Sequence, residues 1–137
     1  MPKMIFVNLP VRDVAAATAF YEAIGMIRNP QFSNQQASCM IWSDAIFFML
    51  LQHDFYGTFT DKRIADTKAT SAVLLCLSLD SREAVDAITT AAIDAGGRDA
   101  GHTQDMGFMY GRSFEDLDGH VFEPMWMDPK AAEEGPQ

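Results

Sequence analysis

Few side chains in this sequence are placed to do chemistry, and Glu123 is the foremost of them. In the run from Arg112 to Asp128, Asp116-Leu117-Asp118-Gly119 reads as a tight turn between two aromatic-rich strands. Asp side chains bond to nearby backbone N–H groups, and Gly supplies positive φ at little cost. Side chains alternate along a strand, so Val121, Glu123 and Met125 share one face of the last one. A carboxylate is seldom buried unless it is paired or bound to a metal. Glu123 is therefore either a site residue or an exposed residue on an edge strand.

The elements that must position it follow from periodicity. Residues 3–11 form an apolar, β-prone run, and Asp13 is the expected N-cap of a helix over 14–24 that ends at Gly25. Strands are expected over 26–32, 37–42 and 46–52, with Ser43-Asp44-Ala45 turning the last pair. A second β-run over 72–79 leads through Asp80-Ser81 into a helix over 82–95 ending at Gly96-Gly97, and strand-like pieces follow near 98–102, 108–114 and 120–127. Both halves read βαβββ, which predicts an internal duplication: module 1 over about 4–52, module 2 over about 72–128, within one domain spanning 1–137. Between them lies an arm over 53–71, long for a connection. Its Phe55, Tyr56 and Phe59 suit either ligand contact or pinning of a crossover to the surface. The tail over 129–137 is poor in apolar residues and is expected to fray.

Composition narrows the partners. The chain has 137 residues and a formal net charge of -9, which argues against nucleic acid or anionic lipid and for a neutral or cationic small molecule. No window approaches the roughly 18 apolar residues of a membrane span, and no basic start precedes an apolar segment, so a cytoplasmic protein is expected. Cys39 and Cys76 lack CxxC spacing and read as reduced core thiols.

With both βαβββ halves and the closing Phe114-Glu115-Asp116-Leu117-Asp118-Gly119-His120-Val121-Phe122-Glu123 in hand, the chain resembles the vicinal oxygen chelate superfamily of glyoxalase I, bleomycin-resistance proteins and extradiol dioxygenases. The opening Asn8-Leu9-Pro10-Val11-Arg12-Asp13-Val14 and the Gly107–Asp116 run look most like a bacterial subgroup labelled predicted lactoylglutathione lyase. The resemblance implies an α+β fold in which two βαβββ modules form a cupped mixed sheet with helices outside, and a homodimer. It also implies metal-ligand positions that fall on Phe6, Met49, Leu74 and Glu123. Of these only Glu123 is a hard-metal donor, so a divalent metal bound at these positions is disfavoured and no cofactor is expected. Asn8 and Cys76 face the same side two residues further along their strands and offer only a contrived donor set.

In a metal-free cup Glu123 would stand beside Phe6, Asn8, Met49, Leu74 and Met125, where desolvation raises a carboxyl pKa toward that of a proton shuttle. Alternatively, a hydrogen bond from Asn8 or Tyr110 holds it without chemistry. Arg112 is its salt-bridge partner or an anchor for an anionic group, with a facing that a bulge would reverse. The expected function is small-molecule binding in an apolar, metal-free cup around Glu123. The alternative is a glyoxalase I-like lyase or isomerase with Glu123 as general base. A metal-dependent dioxygenase lacks the ligands it needs.

Overall fold

The computed structural model describes residues 2–134, and these divide into two compact units, the first ending at Thr70 and the second starting at Ser71. In the first unit β1 (Ile5–Val11), α1 (Val14–Ala23), β2 (Ile27–Asn29), β3 (Ala37–Ile41), β4 (Ile46–Gln52) and the short α2 (His53–Tyr56) follow one another, with a 3-10 turn over Pro30–Phe32. The strands order as β1-β4-β3-β2, with β1 parallel to β4 and the other pairs antiparallel. Asp13 caps α1 as expected, its carboxylate accepting from Ala16 N at 3.1 Å, and Gly25 takes the left-handed φ of 103° that ends the helix. Val14, Ala17, Phe20 and Tyr21 are buried on one side of α1 together with Met40, Phe48 and Leu50 of the sheet. The opposite face of that sheet carries Phe6, Asn8, Phe47 and Met49.

The second unit repeats the plan in broken form. Its elements are β5 (Leu75–Ser78), α3 (Arg82–Asp94), β6 (Arg98–Asp99), β7 (Gln104–Asp105), β8 (Met109–Gly111), β9 (Phe114–Glu115), β10 (Val121–Met127) and α4 (Pro129–Glu134). The sheet orders as β6-β9-β10-β8-β7, with β5 parallel to β10. Ser81 caps α3 by accepting from Ala84 N at 3.0 Å, and Val85, Ile88, Thr89 and Ala92 form its buried stripe. Thr89 can join this stripe because its hydroxyl donates to Val85 O within the helix at 2.8 Å.

The Asp116–Gly119 turn forms as expected. Asp116 Oδ1 accepts from Asp118 N and His120 N, each at 2.9 Å, and Gly119 adopts φ 89°. The strand expected over 108–114 is split between β8 and β9. Arg112 N donates to Pro124 O at 3.1 Å, but proline has no N–H to return, so the ladder is interrupted there. The register is nonetheless the same on both sides of the gap: Gly111 faces Met125 and Phe114 faces Phe122. No bulge intervenes.

The architecture is therefore α+β, two βαβββ modules, each a mixed sheet with its long helix against one face. In the arm only His53–Tyr56 is helical, and the strand expected from residue 72 begins at Leu75. Pro129–Glu134 is helical where composition pointed to fraying; residues 135–137 of that tail lie outside the described residues. Among the described residues no helix is long and apolar enough to cross a membrane.

Candidate functional site

In the second unit, β10 places Glu123 on the sheet face away from α3. Register puts Cys76 of β5 beside it on one side and Ser113 across from it on the other, with Val121 and Met125 before and after it along the strand. Glu123 is half-buried and makes no ion pair among the described residues. Its immediate neighbour is thus a thiol. Cys76 is exposed, which corrects its reading as a core residue, whereas Cys39 is buried as expected. Burial first and the Glu123 charge second push the Cys76 thiol above its usual range.

The first unit has the same strand pair with other chemistry. Asn8 stands opposite Met49, and Phe6 opposite Phe47, with which it stacks at 4.7 Å between ring centroids. Phe47 did not figure among the expected site residues, although its place two residues before Met49 on one strand is visible in the sequence. Phe6 is 50% exposed, consistent with a side chain on an open face. Leu74 lies just outside β5 and is 57% exposed, so it borders the strand that carries Cys76 without being part of it.

Tyr110 and Arg112 require correction. They pair with Trp126 and flank Pro124, and therefore share the α3 side of the sheet, opposite Glu123. There the Tyr110 hydroxyl donates to Asp86 Oδ1 at 2.6 Å, and Arg112 donates to Asp86 at 3.1 Å and to Asp99 at 2.9 Å. Arg82 lies over the Tyr110 ring at 4.5 Å and pairs with Asp105. The Tyr110 hydrogen bond, and then Arg112, hold the Asp86 carboxyl below its usual range; the Gly101 N–H, and then Arg112, do the same for Asp99. The same bond to Asp86 raises the Tyr110 phenol. This is a network tying α3 to its sheet, and neither residue reaches toward Glu123.

In the arm, Phe55 and Tyr56 sit on α2, which packs against β1 and β4 of its own unit, and Phe59 meets Phe55 edge-on at 5.1 Å. Among the described residues no three His, Cys, Asp or Glu side chains are grouped to hold a metal. Within its own unit the side chains beside Glu123 are the Cys76 thiol and the Ser113 hydroxyl, which already accepts from His102 N at 3.3 Å, and the other positions implied by the resemblance, Phe6, Met49 and Leu74, offer no nitrogen or oxygen, so the residues present do not fit the three or four donors of a family-type divalent site.

No family model and no curated protein matches the sequence. Solved structures do match its fold. A hypothetical protein from S. aureus superposes with a TM-score of 0.78 at 23% identity over 92% of this chain and 94% of that one. A glyoxalase/bleomycin resistance protein/dioxygenase family enzyme from Burkholderia phytofirmans PsJN gives 0.75 at 20% identity, over 92% and 99% of the two chains. A glyoxalase-related enzyme from Fulvimarina pelagi gives 0.76 at 15% identity, over 92% and 88%. With two βαβββ modules present and the match extending over nearly the whole chain, this protein has the fold of the glyoxalase/bleomycin resistance/dioxygenase proteins.

Proposed function

We propose that the protein binds a neutral or cationic small molecule on the open sheet face that carries Glu123, without a metal. The observation that carries this reading is a half-buried carboxylate, free of any ion pair among the described residues, set between Val121 and Met125. Such a group attracts an ammonium or guanidinium, while the apolar side chains around it cover a hydrophobic body. The net charge of -9 favours the same class of ligand over an anion. Within its own sheet β1 is an edge strand, which supports the further proposal of a homodimer. Free thiols at Cys39 and Cys76 agree with a cytoplasmic location.

A second reading, a lyase or isomerase in which Glu123 is the general base, is favoured by the same freedom from an ion pair, since a base must be available to the substrate. Thermal-shift and calorimetric titration with a panel of amines and matched neutral compounds tests the first reading. Glu123→Gln is expected to weaken the amines by about tenfold or more and leave the neutral compounds unchanged. If the variant binds every compound as the parent does, the site lies elsewhere. Under the lyase reading the variant loses turnover instead. Elemental analysis with a series of divalent ions is expected to show neither stoichiometric metal nor stabilisation by mass action.

A further inference from the structure

On the opposite face of the first unit's sheet, a groove of about 400 Å³ runs along the flank of α1. It exists because β2 stops at Asn29. Pro30 has no N–H to continue a ladder and opens the 3-10 turn, so beyond the Asn29–Cys39 pair β3 has no strand beside it on that side. Of the α1 residues that line the space, Ala15 and Ala19 are too small to fill it.

The polar groups left around this groove are of both signs. Arg28 and Glu22 both line it, and neither makes an ion pair among the described residues. Ser38 lies at its base, only 1% exposed, and spends its hydroxyl proton on Met40 Sδ at 3.4 Å, a weak acceptor, while its oxygen accepts nothing among the described residues. Asn34 Oδ1 is taken by Gln36 N at 2.8 Å and Ala37 N at 3.0 Å, which fixes the amide and leaves its NH2 group to spare.

We infer that this groove binds a small zwitterion of the amino-acid class, its carboxylate at Arg28 and the Asn34 amide and its ammonium at Glu22 and the Ser38 oxygen. A guanidinium recognises a carboxylate through paired N–H donors, and a zwitterion matches both free charges at once. A polyanion would meet the net charge of -9, and a simple cation would leave Arg28 without a counter-charge. The groove lies on the α1 side of its sheet, the face turned away from Phe6, Asn8 and Met49, so the inference stands apart from the Glu123 reading.

The test is an NMR titration of the intact, ¹⁵N-labelled protein with glycine, glutamate, lysine and 4-aminobutyrate, and with acetate and methylammonium as single-charge controls. At least one amino acid is expected to move the amides of residues 15–22, 28 and 34–38, and to bind about tenfold or more tightly than either control. Arg28→Gln and Glu22→Gln, at side chains outside the core, are each expected to lower that affinity about tenfold, and Glu22→Gln to bring the amino acid down to the level of acetate. The inference is overturned if no amino acid moves these amides, if shifts appear only on the strands carrying Cys76 and Glu123, or if binding survives both substitutions unchanged.

Discussion

The two units run the same strand pair through different chemistry. In the first, α1 is held to its sheet by apolar bulk: Phe20, Tyr21, Phe48, Met40 and Leu50 are all buried, with the Tyr21 and Phe48 rings 6.4 Å apart. In the second, α3 offers a narrower apolar stripe of Val85, Ile88 and Ala92 against the stacked Phe114 and Phe122, and a polar network of Tyr110, Asp86, Arg112 and Asp99 flanks it. The open faces differ in the same sense, with Phe6 stacked on Phe47 and Asn8 beside Met49 in one, Cys76 beside Glu123 in the other. A duplicated backbone needs one apolar face per sheet to fold, but it sets no requirement on the other face. Divergence therefore collects where packing does not forbid it.

Four substitutions probe that contrast. Phe48→Ala, which empties a fully enclosed site in the aromatic-packed unit, is expected to cost about 3–5 kcal/mol in denaturant unfolding; a loss near 1 kcal/mol would mean that the first unit does not depend on bulk. The helix ends come next. Gly25 and Gly96 share φ near the same left-handed value, 103° and 104°, so alanine at either is expected to cost about 1–2 kcal/mol. An added Cβ meets nothing at Gly25 but stands 3.1 Å from Leu117 Cδ2 at Gly96, so Gly96→Ala is expected to be the costlier by a few tenths of a kcal/mol, roughly what one flexible side chain pays to shift. Smallest is Arg112→Met, at about 1 kcal/mol near neutral pH, because its partners Asp86 and Asp99 are largely open to solvent.

That last variant also has a pH signature. The folded-state pKa values of Asp86 and Asp99 are depressed, so their contribution is present above the unfolded value of about 3.9 and is lost as pH falls through the folded values. The difference in stability between parent and Arg112→Met is accordingly expected to shrink below about pH 4. A gap that stays constant down to pH 2 would show that Arg112 acts through packing alone.

Much of this was legible beforehand. The cap at Asp13, the Asp80-Ser81 lead into α3, the glycines that end both helices and the Asp116–Gly119 turn are local hydrogen-bonding and φ requirements, written within a few residues of one another. Alternation likewise put Glu123 on a different face from Phe122. Misreadings arose where two segments had to meet. The side of Tyr110 and Arg112 depended on the register of β8 against β10, and the break between β8 and β9 on a proline in the partner strand. Exposure of Cys76 depended on what covers β5, and no stretch of sequence near residue 76 records that.

By itself, then, the sequence determined the two βαβββ modules, their caps and turns, and the presence of one lone carboxylate on the final strand, because each follows from the φ preferences, hydrogen-bonding capacity and alternation of neighbouring residues. Only the tertiary structure decided that a thiol stands beside that carboxylate, that Arg112 belongs to a helix-binding network, and that a polar groove opens where β2 stops short. Those outcomes are set by register and by the length of neighbouring strands, which bring together side chains far apart in the chain.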